Sequence, residues 1–490
     1  MPFRAAEGPS ARSIAIIGAG PGGMAMAIKL KEAGYDRFTL FEKADGVGGT
    51  WRHNAYPGCR CDVPSSLYSY SFAIKADWSE KFAPQPEILR YLEEVARDFG
   101  ILPHARFNTE LVAARWIAEA AQWELDFSDG AQLRFDIVVG AVGMFNVPAW
   151  PDIAGLRSFA GPVVHSARWD PGLDLAGKRV SVIGAAASAV QIVPAIAPDA
   201  AHLDVFQRTP NHVRPRAEYS EADLTELVGN REAMLRDRQL NFDWIDAIAS
   251  LTEPELIREG DEACAGNLAL VADPVLRERM RPDYPFGSKR PLISSDWYPA
   301  FNRANVALVT EAIARIEPDA VVTADGRRHP SDVIVLATGF ETGRFFAAVP
   351  VTGEGGQTLG EVWQDGARAF KGITVPGFPN LFMMYGPNTN NGSIIFNLEV
   401  QADYVVRHLR QMDSRGLRWI APREEAFAAY NAALQADIAR VVPWQNATSN
   451  YYRAASGLNV TQYPHGMKTY AVMMSLPDFA DYRHDAGAAA

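Results

Sequence analysis

Ser13-Ile14-Ala15-Ile16-Ile17-Gly18-Ala19-Gly20-Pro21-Gly22-Gly23 decides how this chain is read, because it joins a β-branched run to a cluster of glycines. The run from Ser13 to Ile17 favours a strand and the residues from Met24 to Lys31 favour a helix, so the glycines form a tight strand-to-helix turn. Gly18, Gly20 and Gly23 give the spacing G-x-G-x-x-G, in which missing side chains let the backbone and the helix N-terminus approach a pyrophosphate. A second strand is expected at Phe38–Phe41. Glu42 closes it, about twenty residues after the turn, where a carboxylate accepts hydrogen bonds from a ribose diol. The combination predicts a dinucleotide site with FAD as its ligand.

The pattern recurs downstream. Arg179–Ile183 reads as a strand, Ala185–Ile196 as a helix and Leu203–Phe206 as the next strand. In the turn Gly184-Ala185-Ala186-Ala187-Ser188-Ala189, Gly184 makes the tight turn, Ala189 suits helix–sheet packing, and Gly184 and Ser188 are assigned to the second ligand. Ala186 stands where a glycine normally lets the pyrophosphate come close, so its methyl is expected to push the ligand away or demand a different backbone angle. The following strand ends in Gln207-Arg208-Thr209 and not in an acid. A guanidinium and a hydroxyl there would meet a ribose 2'-phosphate, which predicts NADPH over NADH.

Between Ala217 and Arg281 the chain turns rich in Glu, Leu, Arg and Ala, as in a helical insertion. Val306–Val309 and Val333–Ala337 then read as strands of the second unit, whereas Asn380–Tyr385 and the helix-like Glu399–Met412 return to the first. The expected fold class is therefore α/β, with two dinucleotide-binding, Rossmann-like domains and a helical insertion in the second. Residues 1–145 and 345–490 would form a discontinuous FAD-binding domain, 146–215 and 286–344 the NADPH-binding domain, and 216–285 the insertion. The small, polar end Asp485–Ala490 is expected to be disordered.

Composition narrows the partners. With 490 residues, 48% of them hydrophobic, the chain can bury more than one core. Its net charge of -11 and pI near 5.4 argue against nucleic acid and favour a small or neutral substrate. No apolar stretch precedes Ser13 and no window is long enough to span a bilayer, so a cytoplasmic monomer or homodimer without a membrane span is expected. Cys59, Cys61 and Cys264 lack C-x-x-C spacing and read as structural thiols, and no metal site is expected. The N-x-S/T matches at Asn391, Asn446 and Asn459 matter only in a secreted chain and are discounted.

Gly48-Gly49-Thr50-Trp51, followed by Tyr56-Pro57-Gly58 and Asp62, resembles the G-G-x-W-x-x-x-x-[FY]-P-G-x-x-x-D signature of Baeyer-Villiger monooxygenases at every fixed position. Phe159-x-Gly161, His165 and Trp169-Asp170 resemble the family's F-x-G-x-x-x-H-x-x-x-W-[PD] fingerprint. The similarity continues through Gln207-Arg208-Thr209-Pro210, Gly287-Ser288-Lys289-Arg290-Pro291, Ala337-Thr338-Gly339-Phe340 and Gly386-Pro387, and so covers most of the chain.

This resemblance implies a flavin-dependent monooxygenase that uses NADPH and O2 to convert a ketone to an ester or lactone through a C4a-peroxyflavin. Such an oxidant must stay deprotonated to attack a carbonyl, which requires a fixed cation in a dry pocket. Arg290 is suited to that role, because guanidinium keeps its charge and presents forked donors. Asp62 resembles the family's aspartate that pairs with this arginine, and Lys289 its second contact to the 2'-phosphate. Gly49, Thr50 and Trp51 fall in the flavin signature. Trp51 and Trp169 read as packing anchors, and His165 as a hydrogen-bond post in a linker. The segments Asn450-Tyr451-Tyr452 and Gln462-Tyr463-Pro464, which would help form the substrate pocket, carry tyrosine where relatives often have tryptophan.

Two alternatives stay open. An N- or S-oxygenating flavin monooxygenase shares the fold but needs a protonated oxidant, and Trp169 and Arg290 count against it. A flavin-binding protein with impaired NADPH turnover is suggested by Ala186. A dithiol reductase would require a redox-active cysteine pair beside the flavin, and Cys59 and Cys61 have the wrong spacing for one.

Overall fold

The computed structural model describes residues 11–445 and 451–485. The sequon at Asn446, the pocket position of Asn450 and the expected disorder of 486–490 lie outside the described residues.

The opening strand forms at Ile14–Ile17 with all four residues buried. It is the middle of a parallel sheet ordered Leu381–Met383, Ile137–Gly140, Ile14–Ile17, Phe38–Phe41, Ala105–Arg106. Strands covered on both faces carry apolar runs without alternation, which is why IAII, IVVG and FTLF sit here. The expected return of the late strand to the first sheet is thus seen in the pairing of Leu381–Met383 with Val138–Gly140.

The first helix runs Pro21–Glu32, earlier than composition indicated, because proline is tolerated in a first turn where its missing N–H has no partner to lose. Ile394–Ser414 packs along it and is longer than the expected Glu399–Met412. A Cβ on Gly22 would come 3.1 Å from Leu398, so glycine sets how closely these helices approach.

The second sheet is also parallel, ordered Val306–Val309, His202–Phe206, Arg179–Ile183, Val333–Leu336, Val163–His165. Its helix begins at Ala189 and not at Ala185, leaving Gly184 to Ser188 as an open loop. The insertion is helical throughout its body, with Glu221–Leu227, Arg231–Ala249, Pro254–Leu268 and Pro274–Arg279.

Two small antiparallel units were not anticipated. Leu111–Ile117, Gln122–Phe127 and Gln132–Phe135 form a meander after the second strand, and Ile313–Glu317, Ala320–Thr323 and Arg328–Pro330 form another before Val333. Between the sheets, two crossing segments hold each other: Ala149 N donates to Gly339 O at 2.9 Å and Thr338 Oγ1 to Ala149 O at 2.6 Å.

All three cysteines are buried free thiols. Asn391 spends its amide on the carbonyls of Ala249, Tyr463 and His465, and Asn459 is 2% exposed. Among the described residues no helix is long and apolar enough to cross a membrane, and no group of three His, Cys, Asp or Glu is placed to hold a metal.

Candidate active site

Both glycine turns open onto one cleft of about 1140 Å³. In the first, Gly18 has φ 106° and a Cβ there would lie 2.6 Å from Ala141 O, while a Cβ on Gly23 would collide with Gly18 O. Glycine at both positions lets the helix close on the strand. Gly20 caps the helix with no side-chain bond and no acid follows in the first turn, so the terminal N–H groups remain for an anion.

Gly49 crosses Gly20 so closely that a Cβ on Gly49 would lie 2.7 Å from Gly20 Cα, and Thr50 and Trp51 continue this wall of the cleft. Glu42 is buried; its Oε2 accepts from Ala19 N and its Oε1 from Ala44 N, both at 2.8 Å. Two backbone donors thereby fix the carboxylate at the strand end, where it lines the cleft with lone pairs left for a diol. An uncapped helix N-terminus and a fixed carboxylate are what a flavin dinucleotide requires, so the residues fit FAD.

The second turn repeats the logic. Gly184 has φ 118°, and a Cβ there would collide with Ala337 O. Ser188 caps the helix without a side-chain bond. Ala186 is not among the residues with positive φ, so the different backbone angle anticipated for it is not needed. Its exposed methyl does line the cleft, which leaves obstruction as the remaining consequence.

Arg208 and Thr209 line the cleft beside this turn, with Lys289 on the same wall. Lys289 Nζ lies 4.6 Å from the centre of the Tyr284 ring, and its pKa is lowered by burial and then by the charge of Arg208. Two cations that disfavour each other gain from a dianion between them, so this corner fits a 2'-phosphate.

Arg290 and Asp62 meet in the cleft, with Nε 2.8 Å from Oδ2. The charge of Asp62 raises the guanidinium pKa further, against the opposing effect of burial. The pair uses Nε, and Nη1 and Nη2 carry the other four N–H donors of a guanidinium that lines the cleft.

The insertion grips the loop that follows Asp62. Asp237 Oδ2 accepts from Ser66 Oγ at 2.6 Å, and Arg238 Nη1 donates to the carbonyls of Ser66, Leu67 and Ser69. A second clasp joins the flavin signature to the second helix: Tyr56 OH donates to Gln191 Oε1 at 3.0 Å and Gln191 Nε2 to Arg60 O at 3.1 Å. A Cβ on Gly58 would press on Gln191 at 3.2 Å from its carbonyl carbon, which explains the glycine of Tyr56-Pro57-Gly58.

Trp51 is buried and donates from Nε1 to Tyr68 OH at 3.0 Å, and Trp169 packs half-buried against the core. His165 is 1% exposed, accepts at Nδ1 from Ala167 N at 3.1 Å, and lies beside Trp150 and Phe340 of the crossing segments. Of the C-terminal tyrosines only Tyr451 lines the cleft; Tyr452 and Tyr463 are buried behind it. Among the described residues of these segments, that narrows the expected pocket contribution to one phenol. Sequence reasoning missed Gln191, Tyr385 and Asn390: Gln191 and Asn390 are defined by partners distant in the chain, Tyr385 by Asn390 five residues on, and no local motif marks them.

The model of the family described as pyridine nucleotide-disulphide oxidoreductase matches residues 15–234. The chain is 39% identical to a Baeyer-Villiger monooxygenase of Streptomyces coelicolor, covering 96% of this chain and 92% of that protein. It is 38% identical to a Baeyer-Villiger monooxygenase of Pseudomonas aeruginosa over 92% of this chain and 87% of the relative. Among solved structures, OTEMO in complex with FAD and NADP superposes with a TM-score of 0.87 at 28% identity, covering 98% of this chain and 100% of the other. Cyclohexanone monooxygenase from Rhodococcus sp. Phi1 bound to NADP+ gives 0.85 at 28% identity over 97% and 99%. The disulphide chemistry in the matched family's description finds little support here, since Cys59 and Cys61 lack C-x-x-C spacing and burial pushes both thiols up, away from a reactive thiolate. Full-length likeness to relatives that share one reaction, around a cleft with an arginine–aspartate pair, leads to a single assignment: the chain belongs to the Baeyer-Villiger monooxygenases.

Proposed function

We infer that this chain is an FAD- and NADPH-dependent Baeyer-Villiger monooxygenase that places one oxygen atom of O2 beside the carbonyl of a ketone, giving an ester or lactone. The observation that carries the reading is the Arg290–Asp62 pair, a fixed cation in the cleft shared by both dinucleotide turns. Residues 1–145 with 345–490 would hold FAD, through Gly18, Gly20, Gly23, Glu42, Gly49, Thr50 and Trp51. Residues 146–215 with 286–344 would hold NADPH, through Gly184, Ser188, Arg208, Thr209 and Lys289, and 216–285 would brace the Asp62 loop.

Bound FAD, once reduced by NADPH, would supply the activated oxygen. The protein's own task is electrostatic. As the ketone carbonyl is attacked, negative charge gathers on its oxygen, and the Nη donors of Arg290 are present before the reaction to receive it. Asp62 occupies Nε, which fixes the plane of the guanidinium and directs the other donors. Arg290 stays charged at any working pH, so it supports anionic oxygen and gives no proton to it. An N- or S-oxygenating enzyme needs a proton donor in this place, which is why the pair favours ketone oxidation.

We place the enzyme in the cytoplasm, where NADPH is regenerated, as a monomer or homodimer acting on a small ketone. The test is NADPH-dependent ester formation by the yellow holoenzyme with a ketone panel. Sulfoxide from a thioether with every ketone untouched would support the alternative.

A further inference from the structure

Tyr385 is a cleft-lining residue that neither dinucleotide site explains. Its φ is 57°, a left-handed backbone that a bulky side chain keeps only when its surroundings hold it there. They do so at both ends. Tyr385 N donates to Gln401 Oε1 at 2.7 Å, and Gln401, fully buried, is anchored by Nε2 to Tyr470 OH at 3.0 Å. Tyr385 OH donates to Asn390 Oδ1 at 2.6 Å, and Asn390 Nδ2 donates to Gln462 Oε1 at 2.5 Å. The backbone of Asn390 is tied to Thr461 O at 2.9 Å, so the phenol is held against a fixed post.

Hydrogen bookkeeping sets the polarity of this wall. A phenol has one proton, and Asn390 Oδ1 accepts it, so the hydrogen-bonding capacity left to the Tyr385 oxygen, on a residue that lines the cleft, is that of an acceptor. Arg290, in the same cleft, presents donors only. Burial, and then the neighbouring Tyr451, raise the pKa of Tyr385 far above the ordinary phenol, so it stays neutral. A ligand complementary to both groups has an acceptor oxygen at the Arg290 end and a donor at the Tyr385 end.

We propose that Tyr385 is a specificity-determining residue that accepts a hydrogen bond from a hydroxyl or N–H group of the substrate, and that the preferred ketones carry such a donor away from the carbonyl. This rests on the reading of the chain as a ketone-oxidising enzyme, with the carbonyl at Arg290.

The test uses the oxidised holoenzyme, wild type and Tyr385→Phe, titrated by calorimetry with 4-hydroxycyclohexanone and 4-methoxycyclohexanone. Wild type is expected to bind the hydroxy ketone roughly tenfold more tightly, the effect of one buried hydrogen bond, and Tyr385→Phe to bring the ratio near one. The ratio of KM values should follow while the ratio of kcat values does not. Equal binding by wild type, or discrimination that survives in Tyr385→Phe, overturns the proposal. So does a preference for the methoxy ketone, which would mean that the phenol donates. Ester formation answers a separate question: a protein that discriminates between the ketones but makes no ester refutes the oxygenation and leaves the role of Tyr385 standing. Failure to bind either ketone overturns the proposal for Tyr385 and leaves the oxygenation to be judged by ester formation with the ketone panel.

Discussion

Arg290 Nε lies 2.8 Å from Asp62 Oδ2, although the whole helical insertion separates them in sequence. Their side chains are 35% and 41% exposed, and both line the cleft. Solvent reaches such a pair and screens it, so it adds little to stability, and its value is in aim. The loop after Asp62 is held by Asp237 and Arg238, so the helical segment braces the chain next to the aspartate.

Replacing Arg290 tests the electrostatic role. Arg290→Ala is expected to lower the rate of ester formation by about a hundredfold or more, the usual loss for a donor that meets developing negative charge. Anaerobic reduction of the flavin by NADPH should survive in this variant. Asp62→Asn should fall between wild type and Arg290→Ala, because the cation remains but loses its fixed orientation. Ester formation by Arg290→Ala within a few-fold of wild type would contradict the assignment.

Arg208 and Lys289 bear on the choice of nicotinamide cofactor. Arg208→Ala should raise KM for NADPH by about tenfold or more and leave that for NADH nearly unchanged, since only the first carries a 2'-phosphate. Lys289→Ala should act in the same direction. Parallel changes with both cofactors would move the phosphate elsewhere.

Ala186 carries a methyl into the cleft on an ordinary backbone. Ala186→Gly should therefore tighten NADPH roughly threefold, equivalent to about 0.6 kcal/mol. An unchanged dissociation constant would show that the pyrophosphate passes clear of this side chain.

His165 predicts an acid limit to stability. Burial is the main cause that lowers its pKa, with the charge of Arg168 acting the same way and the Gly339 carbonyl opposing. The unfolded chain takes up its proton near the ordinary value of about 6.5, the folded chain only below it. In that window the unfolded state binds more protons, so stability falls as pH drops and is fully present above about pH 7. Thermal midpoints measured from about pH 7 to about pH 5.5 should fall less steeply in His165→Asn than in wild type. Identical slopes would remove His165 as the cause.

The parallel strands were legible because burial on both faces leaves a continuous apolar run, as at Ile14–Ile17 and Arg179–Ile183. Glycine marked the turns, since Gly18 and Gly184 occupy backbone that a side chain would block. The antiparallel meander at 111–135 was not seen: Leu111–Ile117 mixes exposed and buried positions, and its register depends on partners. Arg290 and Asp62 are marked by motif resemblance, whereas Tyr385 bonds Asn390 five residues on and Asn390 bonds Gln462 far along the chain, so the relay closes only in the folded protein. Nothing in a local pattern encodes that proximity. The same reason hid the Tyr56–Gln191 clasp, although both residues sit beside recognisable turns.

The most direct measurement is isotopic. Purified holoenzyme given NADPH, a ketone that it binds and 18O2 should release an ester or lactone carrying one 18O atom, with H2 16O as solvent and Arg290→Ala as the control that forms it about a hundredfold or more slowly. An ester without the label, or no ester while NADPH is consumed, would contradict oxygen insertion at the carbonyl held by Arg290.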